Sequence, residues 1–432
     1  MPRITLCAYD RAGACGGPYG WMPDLAVFLH AGGSPVEVLI LCPGGQANSG
    51  IAAKCHQAGI SVAVLDTDAA VFLEDQTEWI LRQWACRPST VFVANIVLPA
   101  LYASRWIRQA GGRAVAVMHS NPCHCSFCAE ALRRFVSGPP EWRLDAVVAV
   151  SKYIGEKVKE NLPAHVRLEV IPCGTRLSAA SAIPLSDTLR LLYCGRLVQE
   201  AKRVRELADS FLEAAARPGV AATLCGDGEE RAWLERRLAG QDRVRYIGAL
   251  PLGEVQEVML QHHAIVLLSD YEGLPMSVVE GMACGLVPVC LDEPSGAREI
   301  IRHGVNGFLV KDRGPAFLAA VDQLRNPDLW RHLSAEARKT VESRYAHPVV
   351  FAKWSSLIRD LGKDAPLRLG LLPRRVNLRS ARPKGVFSGY PCCRPSRWEK
   401  SQERLNAAWL GLRMALRPRN RLRALLKPRR HE

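Results

Sequence analysis

The sequence predicts an α/β protein with two tandem Rossmann-like, doubly wound domains that face each other across a cleft, followed by a basic C-terminal tail. Three observations support this prediction: short apolar runs alternate with longer helical stretches, the alternation pauses once near residue 180, and the charge balance changes after residue 361. Such alternation is typical of parallel sheets with crossover helices. The predicted boundaries are a first domain at 1–177, a linker at 178–188, a second domain at 189–345, a closing helix at 346–362 and a tail at 363–432.

Six runs in the first domain are predicted to be strands because they are apolar on both faces, as buried parallel strands are. These runs are Ile4–Ala8, Val36–Leu41, Ser61–Leu65, Thr90–Val93, Ala114–Val117 and Ala146–Val150. The small, polar stretch SAASAIPLSDT then predicts the linker. Six further strands are predicted after it, at Leu189–Tyr193, Ala221–Leu224, Val244–Ile247, Ile265–Leu268, Val287–Cys290 and Phe308–Val310. Ligands bind beyond the carboxyl ends of strands in open α/β sheets, so the cleft between the domains is the expected site.

The composition is that of a globular protein, since 48% of the 432 residues are hydrophobic and 23% are charged. No apolar run approaches the ~18 residues that span a bilayer. The N-terminal MPRITLCAYD predicts a first strand rather than a signal peptide. The 15 cysteines are scattered, without the spacing of a small disulfide-bonded domain. We therefore expect reduced thiols and a cytoplasmic protein, with peripheral attachment to the inner face of a membrane left open.

The tail carries the whole net charge of +15, because residues 361–432 hold 19 Lys and Arg against four Asp and Glu. A nucleic-acid-binding core would carry its own basic surface, so nucleic acid is not expected as a partner. Residues 363–395 are proline-containing and are predicted to be an extended or disordered linker. An amphipathic helix is predicted near 399–417 from the spacing of Leu405, Trp409, Leu412 and Leu416. Such a helix is typical of anionic membrane surfaces; the alternatives are a helix packed on the second domain and a disordered basic tail without a partner.

The strongest chemical signal is the segment EGLPMSVVE at 272–280, which directly follows a predicted strand. A loop with glycine and proline separates two carboxylates, Glu272 and Glu280, and a helix is predicted to start near Ser277. The first amides of that helix would have no intrahelical partner, which suits a phosphate or sugar oxygen. Ser277 and Glu280 also have the spacing of a capping box. By itself the pattern favours a ligand role and a capping role for Glu280 about equally.

A second signal is the segment CGRLVQEAKR at 194–203, in which Arg196 and Lys202 follow a glycine turn at the end of a predicted strand. Two cations in this position would suit a pyrophosphate. The alternative is a solvated helix start with both side chains in water. The strand, turn and helix of CGDGEERAWLERRL at 225–238 form a weaker signal, because such a turn is common without a ligand.

Two histidine-containing segments are not predicted to bind a metal ion. His119 and three cysteines lie within HSNPCHCSFC, but no second cysteine pair completes the spacing of a zinc site. His262 and His263 follow a predicted helix and are expected at the surface.

Together these motifs resemble the nucleotide-sugar glycosyltransferases of family four, which are retaining enzymes with the GT-B fold. The segments GRL…KR, GDGEER, RYIG, EGLPMSVVE, EGMACGLVPV, SGAREII and NGFLV occur in the family's order and spacing. A thinner resemblance in the first half comprises GACGGP, MHSN, VAVSKY and VIPCGT. The match spans roughly residues 3–360, is most specific over 189–310 and does not cover the tail.

The resemblance implies a role for each of these residues. Arg196 and Lys202 would hold the diphosphate of the donor. Glu280 would accept hydrogen bonds from the ribose hydroxyls, Glu272 would lie beside the transferred sugar, and His119 would approach the sugar ring from the first domain. Glycines of the first loop and amides of the 272–280 loop would lie close to phosphate or sugar. The residues implied as donor-binding are Gly16, Gly17, Arg196, Lys202, Leu274, Met276, Ser277 and Glu280, and those implied as catalytic are Glu272 and His119.

The expected function is transfer of a sugar, of the hexosyl type, from a nucleotide-diphosphate donor to a saccharide or lipid-linked acceptor with retention of configuration. No metal or cofactor is expected, because Arg, Lys and helix ends would neutralise the developing charge. Two alternatives remain: a non-catalytic, membrane-tethered binding protein of the same fold, and a nucleotide-sugar epimerase or hydrolase. Arg298 and Glu299 of SGAREII are expected to be structural.

Overall fold

The computed structural model describes residues 2–10, 17–160, 162–363, 367–378 and 391–394. The helix predicted near 399–417 lies outside these residues. Seven parallel strands form the first sheet, in the order β3-β2-β1-β4-β5-β6-β7. They are β1 Ile4–Tyr9, β2 Val36–Cys42, β3 Ser61–Asp66, β4 Val91–Asn95, β5 Arg113–Met118, β6 Ala146–Ala149 and β7 Arg167–Val170. The sequence did not predict β7, because this edge strand is exposed or half-buried and has no apolar run.

Six parallel strands form the second sheet, in the order β10-β9-β8-β11-β12-β13. They are β8 Leu189–Cys194, β9 Val220–Cys225, β10 Val244–Tyr246, β11 Ala264–Leu267, β12 Val287–Leu291 and β13 Phe308–Val310. The two sheets confirm the predicted pair of α/β domains. In both sheets the strand order reverses beside the first strand of the domain, at β1–β4 and at β8–β11.

Helices connect the strands of both sheets, as parallel pairing requires. Those of the first domain are α1 Gly17–Ala31, α2 Gly50–Gln57, α3 Leu73–Cys86, α4 Leu98–Gln109, α5 Ser126–Ala131 and α6 Lys152–Lys159. Those that follow are α7 Val204–Ala215, α8 Arg231–Leu238, α9 Leu252–Leu260, α10 Met276–Ala283, α11 Ala297–Ile300, α12 Pro315–Leu324, α13 Pro327–Arg344 and α14 His347–Leu361. Among the described residues, no helix has the length and apolar character needed to cross a bilayer.

The helix predicted to close the second domain, α14, packs instead on the first domain. Trp354 of α14 stacks on Trp21 of α1, with ring centroids 5.4 Å apart, and Phe351 lies 5.5 Å from Phe28. Both tryptophans are almost fully buried. The amphipathic pattern of α14 indicates that one face is buried, but it does not indicate which domain covers that face.

Part of the segment predicted to be an extended or disordered linker, residues 367–378 and 391–394, is packed on the first domain. Val376 and Leu378 are buried. The amide of Leu73, at the start of α3, donates to the carbonyl of Cys392 at 2.8 Å. The Arg394 side chain forms ion pairs with carboxylates of α3, and its amide donates to another; these carboxylates belong to Glu74, Asp75 and Glu78.

Candidate functional site

The topology of the second sheet brings two of the predicted motifs together. β8 and β11 are hydrogen-bonded neighbours where the strand order reverses. The segment after β8 carries Arg196 and Lys202, and the segment after β11 carries Glu272. Ligands bind at such switch points in open α/β sheets, beyond the carboxyl ends of the strands. Residues 70 positions apart in the chain, Lys202 and Glu272, therefore meet in one site.

Lys202 and Glu272 form an ion pair through Nζ and Oε1, and only 13% and 16% of their side chains are exposed. Arg196 lines the same cavity of ≈ 60 Å³. Ser120 and Asn121 of the first domain form its opposite wall. The site thus contains two cations and one carboxylate between the two domains.

The backbone after Lys202 turns the next cation away from the cavity. Arg203 has φ 50°, a left-handed conformation that costs an L-residue roughly 1–2 kcal/mol. The Arg203 guanidinium forms ion pairs with Glu206 and Asp270. Of these two neighbouring cations, Lys202 is therefore the one that faces Glu272.

The carboxylate of Glu280 does not cap its own helix. α10 begins at Met276, and its N-cap residue is Pro275, with no side-chain cap hydrogen bond. The capping-box alternative is therefore wrong. Within the part of the chain that the structure describes, the Glu280 side chain forms no hydrogen bond or ion pair. Burial raises the pKa of Glu280 to about 7, because desolvation disfavours the charged carboxylate.

Three main-chain amides of the predicted site precede or begin α10. Leu274 and Met276 are buried and Ser277 is half-buried. The amides of Met276 and Ser277 are in the first turn of the helix, where no intrahelical acceptor is available. Such amides suit an anionic or hydroxyl oxygen of a ligand.

The His119 ring contacts two side chains of the first domain. Nε2 lies 2.7 Å from Oδ1 of Asn95, and the Cys173 sulfur lies 3.7 Å from Nδ1. Burial lowers the pKa of His119 to about 3, so the ring is neutral near neutral pH. The main chain of His119 faces the second domain: a Cβ added to Gly273 would lie 1.8 Å from the His119 carbonyl oxygen.

The predicted first glycine loop is described only at its end. Gly17 is the first residue of α1, and Gly16 lies outside the described residues. α1 follows β1, the strand at the switch point of the first sheet.

At the neighbouring strand β4, the residue after Asn95 is Ile96, whose φ of 55° is rare for a β-branched side chain.

Several residues of the site and its surroundings were not identified as such from the sequence. Tyr271 lines the cavity, and its ring stacks on His124 with centroids 4.3 Å apart. Glu299, predicted to be structural, accepts hydrogen bonds from the amides of Lys152 and Tyr153 at 2.9 and 2.7 Å. A carboxylate of the second domain thus caps α6 of the first domain. The MHSN motif was the available signal for the opposite wall of the cavity, whereas no local pattern indicates a contact between domains.

His262 and His263 are buried, so the prediction that they lie at the surface is wrong. His262 Nε2 lies 2.9 Å from the hydroxyl of Thr223, and His263 Nδ1 accepts from the amide of Arg190 at 2.9 Å. Burial lowers the pKa of His263 to about 4. The two residues directly precede β11, and their rings contact β9 and the neighbouring strand β8, respectively. Across the described ranges, no group of three or more His, Cys, Asp or Glu side chains is arranged to hold a metal ion.

Residues 188–326 match the family model described as Glycosyl transferases group 1, and they include the whole second sheet. Over 185 residues, the chain is 26% identical to N-acetyl-alpha-D-glucosaminyl L-malate synthase of Bacillus anthracis. This alignment covers 42% of this chain and 48% of that protein. The chain is 30% identical over 173 residues to lipopolysaccharide 1,6-galactosyltransferase of Escherichia coli, covering 38% and 48%. It is 25% identical over 383 residues to glycogen synthase of Mycobacterium tuberculosis, covering 79% and 91%. The chain spans about half the length of the first two relatives.

Two solved structures have a similar fold. HepE of Anabaena, in complex with UDP and glucose, aligns with a TM-score of 0.67 and 18% identity, over 83% of this chain and 100% of that chain. The pneumococcal O-GlcNAc transferase GtfA, in complex with UDP and GlcNAc, aligns with a TM-score of 0.67 and 11% identity, over 84% and 99%. These similarities confirm the predicted GT-B architecture.

Proposed function

We propose that this protein transfers a sugar from a nucleoside-diphosphate donor to a saccharide or lipid-linked acceptor. The observation that carries the proposal is the meeting of Arg196, Lys202 and Glu272 around one cavity at the switch point of the second sheet. Two cations suit the diphosphate of the donor, and charge-assisted hydrogen bonds to phosphate are among the strongest in proteins. A carboxylate beside them can accept hydrogen bonds from sugar hydroxyls.

In this proposal, Arg196 and Lys202 neutralise the negative charge that grows on the leaving diphosphate as the glycosidic bond breaks. Lys202 is paired with Glu272 before the donor binds. An incoming diphosphate competes with Glu272 for the ammonium group and so releases the carboxylate for a hydroxyl of the transferred sugar. The ion pair therefore keeps the Lys202 ammonium and the Glu272 carboxylate in position, and each charge compensates the other while both are shielded from water.

Glu280 is the proposed partner of the ribose hydroxyls, supported by its half-buried carboxylate without a bonding partner in the described chain. The amides of Leu274, Met276 and Ser277 are proposed to bind phosphate or sugar oxygens. Retention of configuration and transfer of a hexosyl group rest on the resemblance to family four. Independence from metal ions is supported by the cationic side chains and helix amides that already serve the site.

Calorimetric titration of the full-length protein with a panel of nucleoside diphosphates tests the donor assignment. Arg196→Ala and Lys202→Ala should each weaken binding by ~1.5–3 kcal/mol, because each removes a charged partner of a phosphate. Lys339→Ala removes a cation of α13 whose side chain is 74% exposed, and it should bind as the unmodified protein does. Unchanged binding in both site variants would contradict the proposal.

Donor turnover measured with and without added acceptors separates the alternatives. Transfer that requires an acceptor supports the proposal, whereas turnover of donor alone to an isomer or a free sugar would identify an epimerase or hydrolase. Donor binding without any turnover would indicate the membrane-tethered binding protein. EDTA should leave turnover unchanged, and a loss that Mg²⁺ restores would overturn metal independence.

We also propose that the basic segment after Arg394 docks on an anionic membrane surface, which would bring the enzyme to a lipid-linked acceptor. The support is the charge of the tail and the helical spacing of its apolar residues. In addition, Arg394, the last described residue before this segment, is fixed to carboxylates of α3 in the first domain.

A further inference from the structure

Two cysteines lie behind the wall that the first domain contributes to the cavity. Cys125 is the N-cap residue of α5 and is half-buried, and Cys128 lies within this helix and is buried. Residues three apart on a helical turn share one face. Consistent with this spacing, each thiol affects the pKa of the other.

Cys128 also supports the main chain of the cavity wall. The amides of His119 and Ser120 lie close enough to its sulfur to lower the pKa of the Cys128 thiol. Ser120 lines the cavity, and the carbonyl oxygen of His119 is the group that Gly273 of the second domain approaches. The position of one sulfur atom is therefore linked to the contact between the first domain and the loop that carries Glu272.

The two thiols differ in reactivity. The Cys128 thiol is the largest cause that lowers the pKa of Cys125, to about 6, and Arg196 adds to the effect. The pKa of Cys128 is raised well above its ordinary value by Cys125 and by burial. A thiolate is the nucleophile in cysteine chemistry, so Cys125 is the attacking group of the pair at neutral pH.

We propose that Cys125 and Cys128 form a thiol–disulfide exchange site that controls the donor cavity. The co-reactant is a disulfide, either a small one such as glutathione disulfide or that of a dithiol protein. The Cys125 thiolate attacks one sulfur of this disulfide, forms a mixed disulfide and releases a thiolate, which takes a proton. Cys128 then loses its proton, attacks the Cys125 sulfur and releases the second thiol. Two protein thiols become one disulfide, and the external disulfide is reduced to two thiols.

The effect on the cavity follows from the geometry. A disulfide bond is about 2.05 Å long, which is much shorter than a contact between two thiols, so one or both sulfurs must move. Movement of Cys128 weakens its support of the His119 and Ser120 amides. Movement of Cys125 displaces the adjacent His124, whose ring stacks on Tyr271. Both changes act on the loop beside Glu272, so oxidation should slow donor turnover.

Peptide mass spectrometry of the full-length protein after incubation with glutathione disulfide at pH 7 tests the exchange itself. An internal Cys125–Cys128 disulfide is expected. Cys128→Ser should stop at a glutathione adduct on Cys125, because the resolving thiol is missing. Cys86→Ser is the matched control, since Cys86 is exposed and lies on α3, and this variant should oxidise as the unmodified protein does. No internal disulfide, or one that uses Cys123 instead, would overturn the proposal.

The control of the cavity rests on the proposed function and is measured separately, as nucleoside-diphosphate binding and donor turnover before and after oxidation. Both are expected to fall several-fold on oxidation and to return with dithiothreitol, whereas Cys125→Ser should show no change with oxidant. A complete disulfide with unchanged binding and turnover would overturn the regulatory role. If the reduced protein neither binds nor turns over any donor, the proposed function fails, while the mass spectra still decide whether the exchange site exists.

Discussion

Glu272 and Glu280 belong to one motif, yet their surroundings give the two carboxylates different properties. Glu272 is paired with Lys202 and is largely shielded from solvent. Glu280 is half-buried on α10, no described cation pairs with it, and its pKa is raised to about 7. Under the proposed function, Glu272 would exchange its partner when a diphosphate enters, whereas Glu280 would need hydrogen-bond donors from a ligand to stabilise its charge.

Glu272→Gln should lower donor turnover more than it lowers nucleoside-diphosphate affinity. The amide keeps the shape of the side chain but releases Lys202 from its ion pair, so the diphosphate no longer competes with a carboxylate. An interaction with the sugar that strengthens in the transition state changes kcat rather than ground-state binding. Steady-state kinetics and calorimetry on the same samples check this prediction. Equal losses of kcat and affinity would indicate a binding role alone.

Glu280→Gln should make the donor-free protein more stable above pH 7. The pKa of this group is higher in the folded protein than in the unfolded chain, so the folded state binds more protons between pH 4.5 and about 7. Stability therefore falls as pH rises through this interval. The shift corresponds to about 1–3 kcal/mol at pH 8, and the amide removes this cost.

Thermal unfolding of both proteins at pH 4.5 and pH 8 measures this difference. The melting temperatures should be closest at the lower pH, where the unmodified Glu280 is protonated. The same variant should bind nucleoside diphosphates more weakly at pH 8, because a neutral amide accepts weaker hydrogen bonds from hydroxyls than a carboxylate does. A variant that is no more stable at pH 8 would contradict the desolvation of Glu280.

At the scale of elements, the loop between β11 and α10 is fixed by close approaches of main chain to main chain. A Cβ on Gly273 would lie 1.8 Å from the His119 carbonyl oxygen, and a Cβ on Gly296 would lie 2.2 Å from the Gly273 carbonyl oxygen. Residues without side chains at both positions let this loop lie between α11 and the first domain. The loop therefore positions Glu272 and the first amides of α10 together.

Gly273→Ala should reduce donor turnover by about tenfold or more while the protein stays folded. Relieving the contact with His119 requires a backbone shift, and overpacking of this kind costs roughly 1–3 kcal/mol. Gly253→Ala is the matched control, since a Cβ on Gly253 of α9 meets no atom within 4 Å. Kinetics and circular dichroism of both variants check the prediction. Turnover of Gly273→Ala at the level of the control would show that the loop does not depend on this approach.

At the scale of the whole molecule, the chain crosses between domains more than once. α14 follows the second domain but packs on α1, and residues 391–394 pack on α3. Glu299 joins the second domain to α6 in a third place. The contacts of α14 and Glu299 therefore connect the second domain to the first.

The full-length protein should sediment with vesicles of anionic phospholipid, whereas a chain that ends at Arg394 should not. Each basic residue near an anionic surface contributes ~1 kcal/mol, so the segment after 394 should be sufficient for reversible binding. Vesicles of zwitterionic lipid are the control surface. Equal sedimentation of both chains, or none of the full-length protein, would contradict membrane docking. A chain ending at Leu361 is a poorer comparison, because it exposes the surface that Val376 and Leu378 cover, and it should melt several degrees lower.

The sequence by itself determined what depends on neighbouring residues. Buried strands show as apolar runs, and turns after them show as glycines, so twelve of the described strands and the segments holding Arg196, Lys202 and Glu272 were predicted in order. The tertiary structure decided what depends on distant partners. The pairing of Lys202 with Glu272 follows from the adjacency of β8 and β11, and the burial of His263 follows from the elements around β11. The amphipathic pattern of α14 shows that one of its faces is buried. The pattern does not identify the domain that covers this face, because many partners could remove the same apolar area from water. Only tertiary packing places α14 on the first domain.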